Sequence, residues 1–267
     1  MKSPDQSFVL AAALNYQVSG PATLILNIQP AITAGQTILS ERLILEPAVN
    51  YQEFTLPFNN ARMIRIDHSE PGALSICYSA TVSRIDAVIQ PVSIPRSPVN
   101  LGPDELRYLF PSRYCPSDEV FRLAQKQFGR YEDTYTTVRS ITDWIYENIA
   151  YTAGVTDEHS TAVDILIGQQ GVCRDFAHLG ILFCRALQIP ARYFTGYAYR
   201  LEPPDFHACF EAFIGTEWVL FDATRLAPTG GLIRIAHGMD AAETSFANHF
   251  GQIDFTGMEV SCTLARQ

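Results

Sequence analysis

Cys173 follows a glycine and stands where a loop turns into an apolar helix, in the run Gly171-Val172-Cys173-Arg174-Asp175-Phe176. A thiol in the first turn of a helix faces backbone N–H groups that lack an intrahelical partner, and the positive end of the helix dipole. Both favour the thiolate, the form that attacks carbonyl carbon. The same N–H groups can bind an oxyanion. Cys184, in mid-helix among Phe183, Ala186 and Leu187, illustrates the other use of the residue, as a small apolar filler.

A thiolate needs a base to share its proton and a group to orient that base. The segment His207-Ala208-Cys209-Phe210-Glu211-Ala212-Phe213-Ile214 alternates as a strand does, so His207, Cys209 and Glu211 share one face. The following strand, Trp218 to Asp222, ends in a carboxylate. With Gly215-Thr216 as a two-residue hairpin turn, Ile214 opposes Glu217, paired numbers sum to 431, and Asp222 opposes Cys209. His207 then lies one diagonal step from Asp222, roughly 7–8 Å at the backbone and within reach of two side chains pointing at each other. A sum of 429 would set the two directly opposite, still on one face. The candidate catalytic residues are therefore Cys173 as nucleophile, His207 as general base and acid, and Asp222 as the group that orients the imidazole.

The elements that carry these residues can be read from periodicity. The helix opening at Cys173 keeps Phe176, Leu179, Gly180, Phe183 and Leu187 on one face until Ile189-Pro190 stops it. A helix from about 134 to 150 shows the stripe Val138, Ile141, Ile145, Ile149, and another starts near Ser160-Thr161. Three strands follow, near 192–201, 207–214 and 217–223. Residues 7 to about 95 are rich in Val, Ile, Leu, Thr and Tyr, with turn signals at Ser19-Gly20-Pro21, Ala34-Gly35, Asn59-Asn60 and Pro71-Gly72, and read as antiparallel strands. Phe8 to Leu14 reads as one of these strands and not as a secretory signal. The proline-rich stretch Ile94 to Pro103 separates the two textures. The expected architecture is α+β, with a β-sandwich-like N-terminal domain over 1–98 and a catalytic domain over 99–267. Residues 1–95 pair no candidate nucleophile with a base, so their expected contribution is to positioning or partner choice.

Gly171-Val172-Cys173-Arg174-Asp175-Phe176-Ala177-His178-Leu179, then His207-Ala208, then Phe221-Asp222-Ala223-Thr224 resemble the three motifs of the transglutaminase-like superfamily, in the order Cys, His, Asp. The bacterial branch, whose members carry a β-rich domain ahead of the core, is the most similar. Leu109 to Asp118 and Gly238 to Ala242 also resemble it. The resemblance implies a papain-like core with Cys173, His207 and Asp222 as its triad. Two positions depart from the usual pattern: Cys209 replaces the tryptophan two residues after the histidine, and Ala223 replaces the proline after the aspartate.

Composition narrows the partners. The 267-residue chain is 47% hydrophobic, enough to bury a core and to exclude disorder. Its 19 basic and 28 acidic residues give a net charge of −9, which repels nucleic acid and anionic membrane. No apolar run reaches the length of a spanning helix. The six scattered cysteines suggest reduced thiols in cytoplasm and no disulfide framework, and a structural zinc site is not expected because the only close Cys/His pair, His207 and Cys209, lacks a second pair at ligand spacing. No calcium loop is visible, so no cofactor or metal is expected. The expected activity is hydrolysis of peptide or protein amides through a thioester. The alternatives are transfer to an amine, as a protein-glutamine transglutaminase does, and a non-catalytic peptide-binding module on the same fold. Asp175 and His178 are expected to support the Cys173 helix, Glu211 either to tune His207 or to pair at the surface, and Tyr193, Tyr197 and Tyr199 to be core or cleft.

Overall fold

Even-numbered residues from Phe8 to Leu26 are buried without interruption, Phe8, Leu10, Leu14, Val18 and Leu24 among them, so one face of a single long strand forms the floor of the N-terminal core. The computed structural model describes residues 6–85, 101–131 and 133–265. The strand is β1 (Gln6–Leu26), followed by β2 (Gln36–Glu46), β3 (Tyr51–Thr55), β4 (Arg62–His68) and β5 (Gly72–Arg84). Next come α1 (Pro103–Leu106), α2 (Phe121–Phe128), α3 (Thr134–Asn148), β6 (Ala150–Tyr151), α4 (Ala162–Gly168), β7 (Gln170–Gly171) and α5 (Cys173–Ala186). The strands β8 (Ala191–Ala198), β9 (Phe206–Ile214), β10 (Glu217–Phe221), β11 (Leu232–Gly238) and β12 (Ala247–Leu264) complete the chain. The molecule is α+β. Among the described residues no helix is long and apolar enough to cross a membrane.

All strands of the N-terminal unit belong to one antiparallel sheet, ordered β2-β5-β1-β4-β3 with β12 on the remaining edge of β1. The turn expected at Ser19-Gly20-Pro21 is a β-bulge. There β1 changes partner from β5 to β4, and pairing with β12 resumes at Ala22↔Gly251. A bulge admits the extra residues without reversing the chain because a partner strand holds each side.

The last strand joins the two ends of the chain: β12 pairs with β1 over nearly its whole length, from Phe8↔Leu264 to Leu26↔Ala247. The proposed linker lies mostly in 86–100, outside the described residues.

The second sheet is antiparallel in the order β10-β9-β8-β11. Helix α5 lies on β8 and β9, with α3 and α4 against it. Gly180 permits the approach: a Cβ there would stand 2.4 Å from the Phe210 ring. The two sheets share a core in which Tyr197, Phe206, Ile233, Ile235 and Ala236 join the residues of β1, β4 and β5. The sandwich suggested for the N-terminal residues is thus completed by the other sheet. Hydrogen bonds cross the same boundary, with Tyr197 Oη donating to the Ile28 carbonyl at 2.8 Å and Asn59 Nδ2 to that of His237 at 2.8 Å.

Candidate active site

Cys173 is the first residue of α5, as the sequence predicts, with Val172 as N-cap. Asp175 secures this end of the helix. It is fully buried, and its Oδ2 accepts from the Val172 N–H at 2.9 Å and the Thr156 hydroxyl at 2.6 Å. The carboxylate reaching back to the N-cap satisfies a backbone donor and complements the dipole. Gly171 leaves room for it, since a Cβ would meet Asp175 at 2.8 Å. Cys173 itself remains partly exposed.

The hairpin that carries the base and the carboxylate has the register derived from its turn. Glu217 pairs with Ile214 and Phe221 with Phe210, a constant sum of 431 that sets Asp222, the next residue, opposite Cys209. Because β10 ends at Phe221, its chain turns away before reaching His207. The diagonal is closed by a hydrogen bond: His207 Nε2–H donates to Asp222 Oδ2 at 3.0 Å. Only the Nε2–H tautomer, or the imidazolium, can donate to an acceptor-only carboxylate. The other oxygen, Oδ1, accepts from the Thr224 N–H at 2.9 Å and its hydroxyl at 2.6 Å.

Both side chains are buried, and their charges answer each other. Burial disfavours the imidazolium, but Cys209, the Asp222 carboxylate and Cys173 outweigh it, so the His207 pKa lies above the ordinary histidine value. Burial likewise works against the Asp222 carboxylate, and His207 and Thr224 more than compensate, holding its pKa below the usual range. Cys173 lies close enough to act on the ring. Nδ1 of His207 is buried and accepts no hydrogen bond among the described residues, leaving it as the nitrogen that can take a proton from the thiol.

A sequence model of the transglutaminase-like superfamily matches residues 122–223, and one of the bacterial transglutaminase N-terminal domain matches residues 6–93. The chain belongs to the transglutaminase-like superfamily. A crystal structure of a Cytophaga hutchinsonii protein, provisionally assigned as a cysteine protease, is similar with TM-score 0.93 and 45% identity, covering 100% of this chain and 93% of that one. The Mycobacterium leprae protein ML0607 is 25% identical over 264 residues, 86% of this chain and 88% of its own. The Mycobacterium tuberculosis protein Rv2569c is 31% identical over 88 residues, 33% of this chain and 28% of its own.

One neighbour of Cys173 in this superfamily member escapes a sequence reading. Tyr151, in the two-residue strand β6, pairs with Gly171 in β7, and the next N–H, of Thr152, donates to the Gly171 carbonyl at 2.9 Å. This sets the phenol beside the thiol. Its pKa is pushed up to about 12, by burial first and then by the charge of Cys173, while the Cys173 backbone N–H acts in the opposite direction. The pairing is too short for any periodicity to announce it.

Other candidates sort differently. Glu211 shares a face with His207 but bonds elsewhere: Arg192 Nε donates to it at 2.6 Å, and Arg234 binds it as well. It is 2% exposed, so the surface pair expected for it is a buried one. Burial alone would raise its pKa, but Arg234 and Arg192 bring it down to about 2. His178 is buried between the rings of Tyr114 and Tyr193, at 5.0 and 4.9 Å, and its Nε2 accepts from the Ala241 N–H at 3.2 Å. It supports the helix, as expected. Tyr193 and Tyr197 are core residues.

Proposed function

We propose that the chain is a thiol-dependent acyl-transfer enzyme that hydrolyses amide bonds of peptides or proteins. The observation that carries the reading is the buried His207–Asp222 hydrogen bond at 3.0 Å, with Cys173 at the start of α5 against the same ring. Nδ1 of His207 takes the Cys173 proton and the thiolate attacks the carbonyl carbon. The resulting imidazolium is stabilised by Asp222. The oxyanion of the tetrahedral intermediate meets the Cys173 backbone N–H and the Tyr151 hydroxyl. Collapse of that intermediate expels the amine, which leaves with the proton held by His207, and a thioester on Cys173 remains. Water, deprotonated by the now neutral imidazole, then releases the acid and the free thiol.

Hydrolysis is preferred over transfer to an amine because the Cytophaga relative, 45% identical over the whole chain, is itself provisionally assigned as a cysteine protease. The proposal places the protein in cytoplasm, where its six free thiols stay reduced, with a peptide or protein as substrate and neither nucleic acid nor membrane as partner.

Incubation with a panel of peptides and simple amides, with and without a primary amine, tests this. Release of carboxylate product by the wild type, lost in Cys173→Ser, is expected. Amine incorporation in place of hydrolysis would establish the transglutaminase alternative. Binding without turnover, unchanged by Cys173→Ser, would establish a peptide-binding module.

A further inference from the structure

Cys209 lies within the site, and amide chemistry leaves it idle. It is 1% exposed and two residues from His207 on the same face of β9. One ligand atom from each of His207, Cys209 and Asp222 lies within 4.8 Å of the other two, and all three residues are buried. Cys209 belongs to a small buried cluster with Phe194, Ala198, Leu201, Ala227 and Leu232, all apolar. An apolar cluster of this kind calls for no thiol. Burial pushes the Cys209 thiol up to about 12, so by itself it neither attacks nor moves protons near neutral pH.

We propose that His207, Cys209 and Asp222 form a binding site for a thiophilic divalent cation, Zn²⁺ being the type, and that its occupation switches the enzyme off. One imidazole nitrogen, one thiolate and one carboxylate are a donor set that zinc takes, at about 2.0–2.3 Å each. Tetrahedral geometry at those bond lengths separates the donors by about 3.4 Å, so a group already within 4.8 Å closes by little more than an ångström. Charge balances as well: the cation displaces the Cys209 proton to solvent, and the thiolate and carboxylate neutralise its two positive charges. Thr224 already holds the far oxygen of Asp222, which leaves Oδ2 oriented as a ligand.

Inactivation follows from the ring. To ligate through Nε2, His207 gives up its hydrogen bond to Asp222 and its Nε2 proton, which goes to Nδ1 in a neutral ring or to solvent from the imidazolium; Nδ1, which has no partner to lose among the described residues, carries a proton either way. A protonated Nδ1 no longer accepts the Cys173 proton. The fourth position is open to water or to the Cys173 thiolate.

The inhibitory half of the proposal rests on the function proposed above; the binding half does not. Binding is measured on full-length Cys77→Ser/Cys173→Ala protein, which lacks the exposed thiol and the nucleophile. Cd²⁺ is titrated while the ultraviolet thiolate-to-metal charge-transfer band is followed, with Zn²⁺ as competitor. One equivalent should bind. Adding Cys209→Ser, a conservative change checked for folding by thermal melt, should weaken binding at least tenfold, and adding His207→Ala should do the same. Binding unaffected by the Cys209 change, or absent below millimolar Cd²⁺, overturns the site. In otherwise wild-type enzyme the Zn²⁺ concentration for half-inhibition should rise at least tenfold in Cys209→Ser, each protein compared with its own metal-free rate. Equal sensitivity would place the metal on Cys173 alone and overturn the switch. A protein that binds Cd²⁺ as described but turns over no amide keeps the site and removes the proposed function; one that hydrolyses amides but binds no metal does the reverse.

Discussion

The Asp222 carboxylate takes the Nε2–H of His207 at 3.0 Å, with both side chains almost wholly withdrawn from solvent. Removed from water, such a contact orients the ring and holds a charge on it more strongly than it would at the surface. Asp222→Asn keeps the shape and loses the charge. Turnover should fall on the order of 10⁴-fold, the scale known for the equivalent change in a serine-protease triad. Cys173→Ser should abolish turnover and retain substrate binding. Single-turnover rates and binding, measured beside thermal melts, check both.

The raised pKa of His207 has a sign that can be tested. In the proposed mechanism the imidazolium hands its proton to the leaving amine, so activity should persist above the ordinary histidine pKa and fall only when the folded-state value is passed. Removing the carboxylate in Asp222→Asn should move this alkaline limb down by about one pH unit or more, as expected for the loss of an adjacent opposite charge. A limb that stays in place would deny Asp222 its electrostatic role.

Thiol labelling separates activation from exposure. Iodoacetamide near neutral pH should modify Cys173 much faster than Cys184 or Cys262, whose pKa values burial raises. His207→Ala should remove much of that advantage. Mass spectrometry of the labelled peptides gives the comparison, and equal rates at Cys173 in the two proteins would mean that the imidazole does not activate it.

Tyr151→Phe deletes the hydroxyl proposed as an oxyanion donor and keeps the ring that packs on Phe176 at 5.8 Å. A kcat loss of roughly 10²–10³-fold with little change in KM is expected from removal of such a donor. An unchanged kcat would leave the backbone N–H as the operative group.

Stability tests address the shared framework. Glu211 has a depressed pKa, so the stability it confers is present above pH 4.5 and is lost as pH falls toward about 2. Glu211→Ala leaves Arg192 and Arg234 without their buried partner and should cost about 3–5 kcal/mol, read from urea melts at neutral pH. A chain starting near Pro98 would strip β12 of its partner and expose Tyr197, Phe206 and Ile233. It should lose cooperative thermal unfolding, and a sharp melt would show that the second sheet folds without the first.

Local chemistry made the core of the site legible. The Gly171-Val172-Cys173 start of a helix, the two-residue turn at Gly215-Thr216 and the period-2 alternation of β9 all involve neighbours in sequence, and together they fix the relation of His207 to Asp222. The texture change between 1–95 and the helical region likewise reflects local propensity. Tertiary structure decided what depends on distant partners. The β1–β12 pairing joins Phe8 to Leu264, and Glu211 meets arginines 19 residues before and 23 residues after it. Tyr151 reaches Cys173 only through a two-residue pairing of β6 with β7. None of these leaves a periodic trace, because the energy that selects them comes from burying surface and charge contributed by another part of the chain.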